Sequence, residues 1–270
     1  MNDIKKEELN QVTTMAEFAA KGEAPEILLW IGCAGSYDER YKKVTKSLVK
    51  LLNAAGVIFG VLGPEESCSG DPARRAGNEF LFQMQAASNI QVLNGYKVKK
   101  ILTACPHCYN VFKNEYPDLG GSYEVIHHSQ FIRQLINEEK LKANTELTFD
   151  NKKVTYHDSC YLGRANGEYE APRNVVLSTG AKLVEMDRNY SNGFCCGAGG
   201  AQIFKEAEKG SSEVYEERTN EALETGAGVI ATACPFCVTM LNDGLKSKEK
   251  EKEVQVLDIA EMIAKSSGLI

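Results

Sequence analysis

The chain has 270 residues, which is enough for one large domain or two ordinary domains. A net charge of −6 argues against nucleic-acid binding, which needs a basic patch, and no apolar run reaches the roughly 18 residues of a membrane span. The first residues lack the apolar core of a signal peptide, so we expect a cytoplasmic protein without a membrane span of its own.

The chain contains nine cysteines. A disulfide framework is unfavourable in the cytoplasm, because that compartment keeps thiols reduced, and an odd number of cysteines cannot all pair. Metal ligation or redox chemistry is therefore the favoured interpretation of these residues.

Residues 1–25 are polar and weakly helical, and we interpret them as an N-terminal arm. From Ile27 onward, short β-rich runs alternate with helical segments, which predicts parallel sheets with helical crossovers. In the first half we predict strands at 27–33, 57–62, 100–105 and 123–127, with helices over 38–55 and 72–92.

A polar stretch over 138–151 is the expected linker, and the same order of elements then repeats. In the second half we predict strands at 154–157, 182–186, 228–234 and 254–258, a long polar helix over 206–225 and a short terminal helix. The expected fold is α/β, with two tandem Rossmann-like domains over 26–140 and 152–270, parallel sheets and a pseudo-twofold relation between the domains.

The spacing of the cysteines supports this repeat. Cys33 and Cys160 differ by 127 residues, Cys68 and Cys196 by 128, and the two Cys-x-x-Cys motifs by 129. A match over four cysteines predicts two equivalent domains, and in this alignment Ser67 stands in the place of Cys195.

In both halves the cysteines follow the carboxyl ends of predicted strands, where ligands bind to open parallel sheets. Both Cys-x-x-Cys motifs also begin helices, whose N-termini favour thiolates. The pattern predicts a first site of four cysteines and a second site of five. The first comprises Cys33, Cys68, Cys105 and Cys108, and the second comprises Cys160, Cys195, Cys196, Cys234 and Cys237.

For the five-cysteine site an iron–sulfur cluster is favoured over zinc, because zinc almost always takes four ligands. Four thiolates at the first site suit either zinc or an ordinary cubane cluster. A thioredoxin-like redox pair would leave the other cysteines unexplained. A non-catalytic zinc protein that acts as a scaffold is the alternative function.

The histidines are expected to serve in capping or hydrogen bonding, and the arginines near the cysteine loops either offset cluster charge or form salt bridges. These residues are His107, His127, His128, His157, Arg74, Arg75 and Arg164. No Gly-x-Gly-x-x-Gly fingerprint follows the first strand of either half, so the chain is not expected to oxidise NADH alone.

The motif of a cysteine, Cys-Cys-Gly and Cys-x-x-Cys resembles the CCG cysteine-rich domain of heterodisulfide reductase and related iron–sulfur oxidoreductases. The second half carries the complete motif, and the first half departs from it at Ser67. The strings His-Asp-Ser-Cys-Tyr-Leu-Gly-Arg at 157–164 and Ser-Cys-Ser-Gly-Asp-Pro-Ala-Arg-Arg at 67–75 look most like the heterodisulfide-reductase-related branch.

The resemblance implies a [4Fe-4S] cluster of the non-cubane type in the second domain, and a second [4Fe-4S] cluster, zinc or no metal in the first. It implies an oxidoreductase subunit that acts on a disulfide, quinone or flavin partner and is active only within a complex. The chain lacks a ferredoxin-like Cys-x2-Cys-x2-Cys run. Electrons should therefore come from a ferredoxin-type iron–sulfur subunit or a flavin-containing subunit, through which the chain could be peripheral to a membrane. Catalytic residues are not identified.

Overall fold

Two parallel sheets form the framework of the computed structural model, which describes residues 8–144, 148–206 and 210–270. The first sheet has the strand order β1-β3-β2-β4-β5 and the second has the order β7-β6-β8-β9. The strands are β1 Thr13–Thr14, β2 Ile27–Trp30, β3 Phe59–Val61, β4 Lys100–Thr103, β5 Glu124–His127, β6 Lys153–Tyr156, β7 Lys182–Leu183, β8 Val229–Thr232 and β9 Gln255–Asp258. The predicted α/β class with two tandem parallel sheets is confirmed.

Helices connect the strands in both halves. They are α1 Met15–Lys21, α2 Gly32–Tyr37, α3 Tyr41–Ala54, α4 Asp71–Arg75, α5 Glu79–Gly95, α6 Pro106–Asn110, α7 His128–Asn137, α8 Glu170–Ser178, α9 Val214–Glu224, α10 Pro235–Ser247 and α11 Ile259–Ser266. Within the described residues, no helix has the length and apolar character that crossing a membrane requires.

The registers of the sheets show which residues of the two halves correspond. Leu28 pairs with Ile101 in the first sheet, and Thr155 pairs with Ile230 in the second. Each partner lies four residues before the Cys-x-x-Cys motif of its half. Leu28 and Thr155 therefore correspond, at a separation of 127 residues, and so do the residues that follow them.

Several predicted elements differ from the observed ones. The helix predicted over 72–92 is broken at Gly77, whose φ of 85° is unfavourable for other residues. The side chain of Asn78 then starts α5 by accepting the backbone N–H of Leu81 at 3.0 Å. The strand predicted at 182–186 has only two residues, and the helix predicted over 206–225 begins at Val214, while residues 207–209 of that prediction lie outside the described residues.

The predicted N-terminal arm contributes to the first sheet. Thr13 and Thr14 pair with Gly60 and Val61 of β3, which makes β1 the edge strand. Thr14 also caps α1, because its hydroxyl accepts the backbone N–H of Glu17 at 3.2 Å. Of the 25 residues assigned to an arm, at least this segment is therefore tied to the first half.

The two halves exchange helix contacts reciprocally. α3 of the first half packs on α11 of the second, and α8 of the second half packs on α7 of the first. The apolar side chains at these contacts belong to one buried cluster that draws on both halves. Its members include Leu48, Leu51, Ile132, Leu135, Val175, Val176, Ile259, Met262 and Ile263. The two sheets thus share a single hydrophobic core, as a pseudo-twofold relation allows.

Corresponding helix caps meet where the halves join. His127 at the end of β5 caps α7, and Asp258 at the end of β9 caps α11, each within a capping box. Nε2 of the buried His128 lies 2.9 Å from the carboxylate of Asp258. Arg40 adds a bidentate pair to Glu261, with N–O distances of 2.8 and 2.7 Å.

We expect the metal-free protein to unfold in one transition, because its core is shared. Leu48 is 1% exposed, and its replacement by Ala should lower the free energy of unfolding by about 2–5 kcal/mol. Leu177→Ala on α8, where the side chain is 50% exposed, is the control and should change stability by about 0.5 kcal/mol or less. Urea denaturation followed by circular dichroism measures both. Two separate transitions, only one of which moves in Leu48→Ala, would contradict a shared core.

Two candidate metal centres

Four cysteines of the first half line one cavity at the carboxyl end of the first sheet. Cys33 lies in α2, Cys68 lies in the loop after β3, and Cys105 and Cys108 lie at the start of α6. Pro106 opens this helix, where its missing N–H costs no helical hydrogen bond. Three separate segments thus bring together the four thiols predicted for the first site.

Five cysteines of the second half lie together at the corresponding edge of the second sheet. Cys160 follows β6, Cys195 and Cys196 lie in the loop after β7, and Cys234 and Cys237 begin α10. The Sγ atoms of Cys196 and Cys237 are 3.4 Å apart. The thiol of Cys195 bonds to those of Cys160 and Cys196, and Cys234 bonds to Cys237. The five thiols form a continuous chain of contacts.

The loops that contain the first-half Cys-Ser-Gly and the second-half Cys-Cys-Gly have the same local geometry. The N–H of Gly70 points to Cys68 Sγ at 3.4 Å, and the N–H of Gly197 points to Cys195 Sγ at 3.3 Å. The two glycines have φ values of 93° and 90°, a region that favours glycine. Cys68 therefore corresponds to Cys195, at the same 127-residue separation as the sheet register.

The predicted alignment, in which Cys68 matches Cys196 and Ser67 replaces Cys195, is wrong. Ser69 replaces Cys196: the Ser69 hydroxyl lies 3.3 Å from Cys108 Sγ, where Cys196 Sγ lies 3.4 Å from Cys237 Sγ. The Ser67 hydroxyl instead donates to Asn89 Oδ1 at 2.9 Å. A spacing of 128 looked natural between 127 and 129, but the glycine after each loop is the better guide.

One thiol in each site is acidic for the same physical reason. A hydrogen bond from the Cys33 thiol, aided by the N–H of Gly70, lowers the pKa of Cys68 to about 6. Hydrogen bonds from Cys160 and other donors hold the pKa of Cys195 well below its ordinary value. The donating thiols, Cys33 and Cys160, have raised pKa values, because ionisation would remove those bonds and burial opposes charge. Each site thus contains one preferred thiolate.

His157 adds an imidazole to the second site. One of its ring nitrogens and the Sγ atoms of Cys196 and Cys237 lie within 4.8 Å of one another. Arg218 donates from Nε to His157 Nδ1 at 2.9 Å. Burial, together with the charge of Arg218, lowers the pKa of His157 to about 3, so the ring is neutral at physiological pH.

Aromatic rings join the two sites across the interface between the halves. His107, inside the first Cys-x-x-Cys motif, stacks on Tyr161 with ring centroids 4.2 Å apart. It also meets the edge of Phe236, inside the second motif, at 4.9 Å. Asp71 orients the imidazole through a 2.9 Å contact with Nδ1 and also binds Arg75 at 3.0 Å. The two sites therefore face each other through these rings.

The arginines near the cysteine loops form hydrogen bonds and ion pairs. Arg74 binds Glu115 at 2.8 Å, and Arg75 binds the same carboxylate. Arg164 donates to the carbonyl of Gly193 at 2.6 Å, which ties down the loop that leads to Cys195. Of the two interpretations of these residues, the salt-bridge one describes Arg74 and Arg75.

A family model described as a cysteine-rich domain, CCG, matches residues 27–113 and again 154–242. The two matches together cover more than half of the chain. The chain belongs to the CCG cysteine-rich domain family. The resemblance drawn from the cysteine motif is thereby confirmed, and each match corresponds to one of the two sheets.

Relatives of this CCG protein have names that describe oxidoreductases. It is 46% identical over 251 residues to the EtfAB:quinone oxidoreductase of Syntrophomonas wolfei, covering 91% of this chain and 35% of that protein. It is 46% identical to the probable iron-sulfur-binding oxidoreductase FadF of Bacillus subtilis, covering 95% and 36%. With one polypeptide of the dihydromethanophenazine:CoB--CoM heterodisulfide reductase of Methanosarcina barkeri the identity is 36%, covering 90% and 59%. The chain thus spans between about a third and three fifths of these relatives.

The donor sets of the two CCG sites fit different groups. Five thiols in mutual contact exceed the four ligands that zinc takes, and they suit an iron–sulfur cluster. Burial of Cys196, Cys234 and Cys237 would shield such a group from water. At the first site, Ser69 leaves four thiols, which suit either a closed zinc site or a cubane cluster.

The residues of the CCG sites that the sequence did not reveal come from distant positions. Arg218 lies in α9, 61 residues after the histidine that it binds, and local sequence gives no sign of the pair. For His157 a signal existed, because it directly follows a strand and precedes Cys160 by three residues, as Trp30 precedes Cys33. The general assignment to hydrogen bonding was correct for His157, but its position beside the thiols was missed.

We expect the metal-free, reduced protein to be alkylated by iodoacetamide first at Cys68 and Cys195. Both are partly exposed and have lowered pKa values, so they are thiolates at neutral pH, whereas Cys33 and Cys160 stay protonated. The labelling rate at Cys68 should rise as pH passes 6 and then level off, and that at Cys195 should be constant from pH 5 to 8. Peptide mass spectrometry measures each rate. Equal labelling of the four cysteines would refute this assignment.

Proposed function

We propose that this CCG protein is an iron–sulfur electron-transfer subunit of an oxidoreductase complex. The observation that supports it is the convergence of five thiols beside a second group of four, with aromatic rings between them. One thiolate alone would suit nucleophilic catalysis, and four would suit a structural metal. Five thiols at one point are better explained by a cluster with several irons.

In the second site, the proposed group is a [4Fe-4S] cluster of the non-cubane type. Its ligands would be the five thiolates of Cys160, Cys195, Cys196, Cys234 and Cys237. Such a group supplies one-electron transfer. The surrounding chain would bind it, exclude water and supply hydrogen bonds to sulfur, among them the N–H of Gly197 and the hydroxyl of Ser159, which lies 3.6 Å from Cys237 Sγ.

In the first site, Cys33, Cys68, Cys105 and Cys108 would hold a second [4Fe-4S] cluster or a zinc ion. Four thiols without a fifth favour neither group over the other. A zinc ion here is also the basis of the second candidate function, a non-catalytic scaffold protein. That alternative explains the first site well, but it leaves one thiol of the second site without a role.

The proposed partners follow from what the described chain lacks and from the names of its relatives. No ferredoxin-like cysteine run and no dinucleotide fingerprint occur in the sequence. Electrons would therefore arrive from a ferredoxin-type iron–sulfur unit or a flavin-containing unit and pass to a disulfide, quinone or flavin acceptor. Two of the relatives are about three times as long as the matched region. Such a unit could belong to the same polypeptide or to a membrane-bound partner.

Anaerobic reconstitution tests the cofactor. We expect about four irons and four sulfides per second site, which the double variant Cys234→Ser/Cys237→Ser should lose. The matched control, Cys105→Ser/Cys108→Ser, alters only the first site and should keep the second-site spectrum. Iron and sulfide analysis with absorption spectroscopy measures both. Stoichiometric zinc without iron in the reconstituted wild type would support the scaffold function instead.

Exchanging one residue between the sites tests the role of the fifth thiol. Cys196→Ser converts the second loop to the Cys-Ser-Gly of the first, so its electron paramagnetic resonance spectrum should change to that of a four-thiolate site. Electron transfer to an artificial acceptor should fall by at least about tenfold, which corresponds to ~1.4 kcal/mol. The folded state should persist, because serine replaces cysteine at nearly constant volume.

The reciprocal variant Ser69→Cys is the control for this exchange. It should leave the second-site spectrum unchanged while adding a thiol beside Cys108. An unchanged spectrum and rate in Cys196→Ser, with the melting temperature also unchanged, would mean that the fifth thiol is not a ligand. Loss of the fold in Cys196→Ser would be visible by circular dichroism before any cluster is added.

A further inference from the structure

His157 lies where a nitrogen donor could act on the sulfur atoms of the second site. It directly follows β6 and is 1% exposed. One of its ring nitrogens is within 4.8 Å of the Sγ atoms of Cys196 and Cys237. A neutral imidazole has one N–H donor and one acceptor nitrogen, so its effect on sulfur depends on which nitrogen carries the hydrogen.

Arg218 decides which nitrogen carries the hydrogen. Its Nε donates to His157 Nδ1 at 2.9 Å, and a guanidinium has no acceptor capacity. Nδ1 must therefore be the acceptor, which leaves the hydrogen of the neutral ring on Nε2. Arg218 is itself fully buried, and it is held by the carbonyl of Arg188 and the carboxylate of Glu221, both at 2.8 Å. The tautomer is thus set by a buried network.

Nε2 of His157 is buried and has no hydrogen-bond partner among the described residues. Leaving a buried N–H unpaired is costly, so a partner is expected. Nδ1 is already occupied by Arg218, which leaves Nε2 as the nitrogen free to interact with the neighbouring sulfur atoms. Thiolates and cluster sulfides both accept hydrogen bonds.

The first half offers an independent comparison. Trp30 occupies the position of His157 by the register of the two sheets, and its Nε1 is also buried without a partner among the described residues. An indole nitrogen only donates and cannot ligate a metal in this form. The capacity that the two residues share is therefore N–H donation, which distinguishes a hydrogen-bond donor from a metal ligand at this position.

We propose that His157 donates its Nε2–H to a ligand sulfur of the second site and raises the reduction potential of the group bound there, an inference that rests on the proposed iron–sulfur function. It is a positioning residue and not a sixth ligand. A hydrogen bond to sulfur stabilises the reduced form more, because reduction adds negative charge to the thiolates. Arg218 acts through His157 by keeping the hydrogen on Nε2.

The test is a redox titration of the reconstituted protein, followed by electron paramagnetic resonance. His157→Phe should shift the reduced-to-oxidised ratio at a given potential by at least about tenfold, equivalent to ~59 mV toward lower potential for one electron. His157→Gln, whose amide can still donate, should restore at least half of that shift. Trp30→Phe is the matched control, and it should leave the second-site potential unchanged.

Two spectroscopic measurements complete the test. In the metal-free wild type, ¹⁵N NMR should show His157 as the Nε2–H tautomer. In the reconstituted protein, pulsed resonance should show only weak ¹⁴N coupling from this ring. An unchanged potential in His157→Phe, an Nδ1–H tautomer, or a strong ¹⁴N coupling typical of direct ligation would each overturn the inference.

The outcomes separate this inference from the proposed function. If the wild type binds no iron, the proposed function fails, and the tautomer in the zinc-loaded protein still decides whether Nε2 carries a donor hydrogen. If His157→Phe does not fold because Arg218 loses its acceptor, the potential of His157→Gln and the ¹⁴N coupling of the wild type decide. A folded His157→Gln with the wild-type potential and weak coupling supports donation, and a strong coupling refutes it.

Discussion

Reciprocal packing of helices between the two halves is the constraint on which the rest of the structure depends. The α3–α11 and α7–α8 contacts place both sheets around one core, so the carboxyl ends of both sets of strands meet near the interface. Because every cysteine segment follows such a strand end, both groups of thiols are brought close together. The contacts of His107 with Tyr161 and Phe236 are a result of this arrangement.

The two sites are variants of one local design. In both, a thiol bound by the N–H of a left-handed glycine is the acidic one, which is Cys68 or Cys195. The polar neighbour of the last cysteine differs: it is the hydroxyl of Ser69 in the first site, and in the second it is Ser159, whose counterpart is Gly32. Divergence has thus moved a hydroxyl from one loop to another while keeping the thiol positions.

The fold and the cysteine groups could be predicted from the sequence because they depend on short-range patterns. Buried strands such as Ile27–Trp30 are continuous apolar runs, and cysteine spacing records the repeat directly. The loop alignment failed because spacing alone cannot tell Ser67 from Ser69, whereas backbone conformation at Gly70 and Gly197 can. The pairing of Arg218 with His157 depends on tertiary contacts and leaves no local pattern.

The meeting of His128 with Asp258 has an evolutionary consequence. A tandem repeat with reciprocal contacts descends most simply from a symmetric homodimer, in which each interface residue faces copies of the same partner set. His127 and Asp258 hold corresponding positions, so in such an ancestor both would have been one residue type. Fusion of the two genes released them from that identity, and an acid on one side could then be matched by an imidazole on the other. The fused chain can thus hold an asymmetric contact at its axis that identical subunits could not encode.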